Sequence, residues 1–263
     1  MTALLYADRT YYLRGVGYRI HKQLRGGHAE LDYENALVTA LEQDSVAFLR
    51  QPLYQVEYRN QQIGKYYPDL VLEDGMLQLD LKATPQIIPL HKAQMLSYLA
   101  VTQANLGLIM NFGSTEMQYE RLPNFLHERV RQFEPPPASA DLLFPALTGQ
   151  VLDALFAVHW TLGPGFLHQI YRRAARIELA HRTINFIYLK ELPLRYNGQV
   201  IAIKPTRLLN VDGKLLVATL ALQQITPTHT EKLRWTMNET GCQLGIIANF
   251  YPSRLEIRFL RNP

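Results

Sequence analysis

Apolar residues along the chain fall into runs whose spacing implies an order of elements. Over 28–44, Leu31, Ala36, Leu37, Ala40 and Leu41 fall at helical spacing. Strand-like runs follow near 53–59 and 63–72, ahead of the dipeptide Asp74-Gly75. That dipeptide suits a two-residue hairpin turn, which needs positive φ at both positions. Residues 76–83 alternate as the return strand. A second amphipathic helix is predicted over 89–101, Leu106–Phe112 reads as a buried strand, and a short strand near 117–122 closes the unit. The predicted order is αβββαββ.

The same pattern recurs at a constant offset of 138 residues. His21 falls on His159, Gly27 on Gly165, Tyr33 on Tyr171 and Tyr58 on Tyr196. Asp74-Gly75 falls on Asp212-Gly213, His91 on His229, and Asn111-Phe112 on Asn249-Phe250. Between 14–125 and 152–263, 27 of 112 ungapped pairs are identical, where ordinary composition gives roughly 7. The chain is therefore a tandem duplication. The segment Glu134-Pro135-Pro136-Pro137-Ala138-Ser139-Ala140 forms a stiff connection. The expected division is 1–125 for the first domain, 126–145 for a proline-rich linker and 146–263 for the second domain.

Composition narrows the class. Hydrophobic residues make up 48% and charged residues 19% of the 263, enough apolar surface for two folded α/β cores. No stretch approaches the roughly 20 apolar residues of a membrane span, and the first residues lack the pattern of a signal peptide. Cys242 is the only cysteine, which rules out an internal disulfide and a multi-cysteine zinc site; a reducing cytoplasm is the expected setting. Charge is divided unevenly. Residues 1–125 carry 11 Lys and Arg against 13 Asp and Glu, whereas 146–263 carry 14 against 7. A basic half points to a polyanion partner, or to a merely solubilising surface.

The first hairpin places candidate chemistry. With Asp74-Gly75 as its loop, paired positions sum to 149, so Asp69 lies opposite Asp80. Two carboxylates about 5 Å apart at Cβ repel each other, and a divalent cation between them would remove the repulsion. Lys82 shares the face of Asp80, two residues on. Hard Mg²⁺ or Mn²⁺ prefers carboxylate oxygen, and a neighbouring lysine can offset charge in a phosphoryl transition state. The alternative is a strand with ordinary surface charges.

These residues also carry a family resemblance. Gly27-His28-Ala29-Glu30-Leu31-Asp32-Tyr33 matches a G-x-x-E-x-x-Y signature, and Tyr67-Pro68-Asp69 followed by Asp80-Leu81-Lys82 matches a PD-(D/E)XK core. The chain resembles the GxxExxY proteins, a branch of the PD-(D/E)XK nuclease superfamily. His91-Lys92-Ala93-Gln94-Met95-Leu96-Ser97-Tyr98 resembles the Q-x-x-x-Y helix of RecB-type and Cas4-like exonuclease modules. The resemblance implies two tandem restriction-endonuclease-like domains, each a mixed central sheet flanked by helices. It implies metal binding by Glu30, Asp69 and Asp80, catalysis with Lys82, and a cleft completed by Gln94 and Tyr98. The implied partner is nucleic acid, DNA being favoured, with no membrane. Tyr33 and His91, which recur as Tyr171 and His229, are expected to pack a helix and sit at a helix start. The family's loop Leu-Gly-Pro-Gly is present at 162–165, while the first copy has Leu24-Arg25-Gly26-Gly27.

Read 138 residues later, the same positions are His168, Arg207, Ala218, Leu220, Lys232 and Thr236. No carboxylate remains to hold a hard cation, so the second copy reads as a pseudo-nuclease. Its Arg207, Lys232 and His168 are candidates for gripping nucleic acid, unless they are the product of drift. Other signatures fail. Gly163-Pro164-Gly165 lacks the Gly-Lys-Ser/Thr ending of a phosphate loop, His28-Ala29-Glu30 has no following Pro-Cys-x-x-Cys, and Cys242 has no nucleophile context. The sequence thus implies a metal-dependent nuclease, with a non-catalytic nucleic-acid binder or a protein-interaction scaffold as alternatives.

Overall fold

The computed structural model describes residues 5–126 and 142–262, so the Glu134–Ala140 connection lies outside them. The first half runs α1 (Ala7–Leu24), α2 (Glu30–Gln43), β1 (Leu49–Arg50), β2 (Tyr54–Tyr58), β3 (Gln61–Tyr66), β4 (Leu70–Leu72), β5 (Leu77–Lys82), α3 (Pro89–Thr102), β6 (Leu106–Asn111) and β7 (Gln118–Pro123). The second runs α4 (Pro145–Leu162), α5 (His168–His181), β8 (Phe186–Tyr196), β9 (Gln199–Val211), β10 (Leu215–Leu220), α6 (Pro227–Thr240), β11 (Leu244–Asn249) and β12 (Glu256–Arg261). Two compact units result, one built on the first repeat and the other on the second together with Tyr58–Ile63. Among the described residues, no helix is long and apolar enough to cross a membrane.

Each unit holds a five-stranded mixed sheet, ordered β1-β4-β5-β6-β7 in the first and β12-β11-β10-β9-β8 in the second. Among the described residues, the parallel pairs are β5 with β6 and β10 with β11, each joined through a crossover helix. Every residue of β5 and β6 is buried, as expected of central strands covered on both faces. In the first unit, Leu13, Val16 and Ile20 of α1 and Tyr33, Leu37 and Leu41 of α2 pack with Leu70, Leu72, Leu77, Leu79 and Leu81. Helix α3 lies close to β6 because residue 107 is glycine: a Cβ there would fall 2.3 Å from Met95 Sδ. Gly245 plays the same part beneath Met237.

Two features depart from the expected order. The run 63–72 is two strands, because Tyr67-Pro68-Asp69 interrupts it and Pro68 has no N–H to give a ladder. Each half also begins with a helix, α1 or α4, that the periodicity did not predict. In α1 the buried Leu13, Val16 and Ile20 are diluted by Gly15, Gly17, three tyrosines and three arginines, so the apolar stripe is faint in sequence.

The second sheet also contains a one-residue slip. In the first unit Leu70 pairs with Arg50 and Leu79. Tyr188 and Val217, which stand 138 residues after Arg50 and Leu79, instead pair with Leu209. The extra residue enters β9 at a bulge, where Thr206 and Arg207 both stand between the paired Pro205 and Leu208, and Arg207 takes φ +56°. The turn compensates, spanning Glu73–Met76 in the first unit but only Asp212–Lys214 in the second. Leu208 therefore occupies Asp69's place in the sheet, and Arg207 is an inserted residue rather than its replacement.

Candidate active site

The hairpin turn forms as its dipeptide implies. Asp74 and Gly75 both have positive φ, and the Met76 amide donates to Glu73 O at 2.9 Å. Pairing of Leu70 with Leu79 and Leu72 with Leu77 keeps the sum of 149, which sets Asp69 opposite Asp80. Asp69 is fixed by the Leu81 amide, which donates to its Oδ2 at 2.6 Å. Asp80 and Lys82 are 1% and 7% exposed. Lys82 Nζ stands 2.8 Å from Asp80 Oδ2 and 3.7 Å from Glu30 Oε1, and it donates to Leu81 O at 2.9 Å.

Glu30 reaches this group from another element, and the signature around it explains how. It is the first residue of α2. The chain enters that helix through Gly27 at φ +103°, a conformation that favours glycine. Tyr33 is fully buried and stacks on Phe112 with ring centroids 4.7 Å apart. Its hydroxyl donates to Arg25 O at 2.6 Å, tying the loop before Glu30 to the helix. Tyr171 repeats both features, stacking on Phe250 at 4.4 Å and donating to Gly163 O. The tyrosine shared by the two copies thus packs and holds a loop, as expected. Asn111, whose side chain accepts from Thr84 N and donates to Thr84 O, clamps the segment after β5; Asn249 does the same with Leu222.

Burial and mutual repulsion set the electrostatics. Desolvation, reinforced by Asp80, raises Asp69 to about 7 despite the Leu81 amide. Desolvation raises Asp80 to about 6 despite Lys82. Burial alone would lower Lys82, but Asp80, Glu30 and Asp69 together outweigh it and hold the ammonium above its ordinary value. This lysine already provides part of the positive charge expected of a metal, bridging Asp80 and Glu30. Among the described residues, no three His, Cys, Asp or Glu side chains close around an ion.

The donor chemistry nevertheless fits a hard cation. Asp80 Oδ1 is buried without a hydrogen-bond partner, and Oδ2 has only the Lys82 ammonium at 2.8 Å. Buried oxygens of that kind need a further partner. Glu30, Asp69 and Asp80 are the residues that would hold Mg²⁺ or Mn²⁺. Gln94 Nε2 donates to Tyr98 OH at 2.7 Å, and Asp80, after desolvation, is the main cause raising Tyr98 above its ordinary value. Both α3 residues thus border the acids. His91 Nδ1 accepts from Ile88 N at the start of α3, as expected of a helix-start residue. Desolvation and then Lys82 lower its pKa, so His91 also faces the site, a position its helix-start role in the sequence did not reveal.

In the second unit, Leu208 and Ala218 stand where Asp69 and Asp80 face each other. His168, Arg207 and Lys232 line one cleft together with Ala218 and Leu220. Thr236 is fully buried and donates to Lys232 O within its helix, so the counterpart of Tyr98 no longer lines a site.

The model of the PD-(D/E)XK nuclease superfamily matches residues 7–122 and again 145–260, boundaries separated by the same 138 residues. A comparison with curated proteins returned no match. With both halves matched over nearly their whole length and the acid–lysine group in place in the first, the chain belongs to the PD-(D/E)XK nuclease superfamily.

Proposed function

We propose that the first unit is a Mg²⁺- or Mn²⁺-dependent nuclease of GxxExxY type that hydrolyses phosphodiester bonds, DNA being the favoured substrate. In this reading the second unit is catalytically inactive, and the lone buried Cys242 suits a reducing cytoplasm. The observation that carries the reading is the convergence of Glu30 from α2, Asp69 from the segment before β4, and Asp80 and Lys82 from β5, with Asp80 Oδ1 lacking a hydrogen-bond partner. A bound divalent ion would lower the pKa of a water and screen phosphate charge. Asp69 is held ready by the Leu81 amide. Lys82 orients the attacking water and offsets charge as the phosphorane forms. Gln94 positions a phosphate oxygen or water, and Tyr98 sets its side-chain direction. In the second unit, Leu208 and Ala218 offer no oxygen to a cation.

Lys82→Ala separates these roles. Turnover should fall by on the order of a hundredfold or more. Mn²⁺ binding, followed by electron paramagnetic resonance, should be retained or tightened, because the ammonium no longer competes for Asp80 and Glu30. Parent-like cleavage by Lys82→Ala would remove the lysine from the mechanism and sink this assignment.

A further inference from the structure

The second unit keeps a cleft of about 350 Å³ where the first unit has its acids, lined by His168, Arg172, Arg207, Thr219 and Lys232 among others. No carboxylate lines it among the described residues, and none of its five basic groups, His229 included, forms an ion pair with a described carboxylate. Helix α5 opens at His168 with no acid in its first turn, whereas α2 carries Glu30 and Asp32 there; its positive end is uncompensated. Arg172 stands at the position of Glu34, so the change of charge extends beyond His168 and Lys232, which match the positions of Glu30 and Gln94.

One feature of the backbone points to a ligand. Arg207 is an insertion. Leu208 already fills Asp69's place in the sheet, so the bulge adds a residue and delivers its guanidinium to the cleft. It does so with φ +56°, a conformation in which glycine would be unstrained. Loss of an unselected carboxylate requires neither an added residue nor a strained one. Desolvation, then Arg172 and Arg207, holds His168 below its ordinary value, the mark of cations crowded together without a counter-anion.

We infer that this cleft is a phosphate-binding site: Arg172 and Arg207 grip the phosphate oxygens, and Lys232 and His168 border the entrance. A nucleic-acid phosphodiester is the expected source of the group. The inference extends the reading of the second unit as inactive but does not depend on cleavage by the first.

The test uses the full chain carrying Arg172→Gln and Arg207→Gly, in EDTA so that cleavage plays no part. The glycine removes the guanidinium while relieving the strained backbone, so the thermal midpoint should not fall through that position. Fluorescence anisotropy across a salt series would follow a labelled single-stranded DNA with and without a 5′-phosphate, with inorganic phosphate as competitor. The double variant should bind at least about tenfold more weakly, with a salt slope flatter by about two. Arg172→Lys should recover part of the affinity. Equal loss for both oligonucleotides identifies backbone phosphate, and loss confined to the phosphorylated one identifies a terminal phosphate. Competition by inorganic phosphate that the variant abolishes, with oligonucleotide affinity unchanged, identifies a free-phosphate site. If affinity, salt slope and phosphate competition all match the parent, the cleft is a remnant and the inference is wrong.

Discussion

Replacing Asp80 by asparagine is expected to cut cleavage by at least on the order of a thousandfold, the scale set by removing a group that places charge in a transition state. The fold should survive, and the choice of asparagine matters. Truncation to alanine first looks harmless, because it relieves carboxylate repulsion. Asp80, however, lies 2.8 Å from the buried Lys82, and cutting one partner of a buried pair can cost about 3–5 kcal/mol. Asparagine keeps the shape and leaves Lys82 the company of Glu30 at 3.7 Å. Its thermal midpoint should stay within a few degrees of the parent while cleavage disappears. Substantial remaining activity would show that another residue performs the chemistry.

The metal-free protein should lose stability as pH rises from about 4 to about 7. The sign follows from the raised values of Asp69, about 7, and Asp80, about 6, against an ordinary 3.8. Between those limits the folded state binds more protons than the unfolded chain, so stability falls with pH. The contribution is fully present below the unfolded value and is lost as pH passes the folded ones. For Asp80, which is almost fully buried, the effect is on the order of a few kcal/mol. Mg²⁺ or Mn²⁺ should reverse the loss, with a stabilisation that grows over the same interval. Thermal unfolding in EDTA and in excess metal from pH 4.5 to 8 measures both slopes. Parallel curves would mean that the acids and the metal do not compete.

Much of this was legible in the chain because the duplication repeats its own constraints. Asp74-Gly75 fixed the hairpin, and with it the opposition of Asp69 and Asp80. Gly27 and Tyr33 marked the entry to α2, since one supplies positive φ and the other ties the loop by a hydroxyl. Helix α1 stayed hidden because its buried stripe is narrow and interrupted by polar and aromatic residues. The pairing of Lys82 with Asp80 was also invisible, since alternation gives a shared face but not a contact. A constant offset of 138 paired Arg207 with Asp69. An insertion at the bulge and a shortening at the turn cancel in number while differing in place, so only hydrogen-bond register shows that Leu208 stands there.

The central claim is that the first unit cleaves nucleic acid with a divalent metal. The most direct measurement presents the full chain with labelled DNA and RNA, single- and double-stranded, each in Mg²⁺, Mn²⁺ or EDTA. Cleavage of at least one DNA substrate is expected with metal and none in EDTA, with RNA cut more slowly. No cleavage of any substrate in either metal, or cleavage that persists undiminished in EDTA, would contradict it.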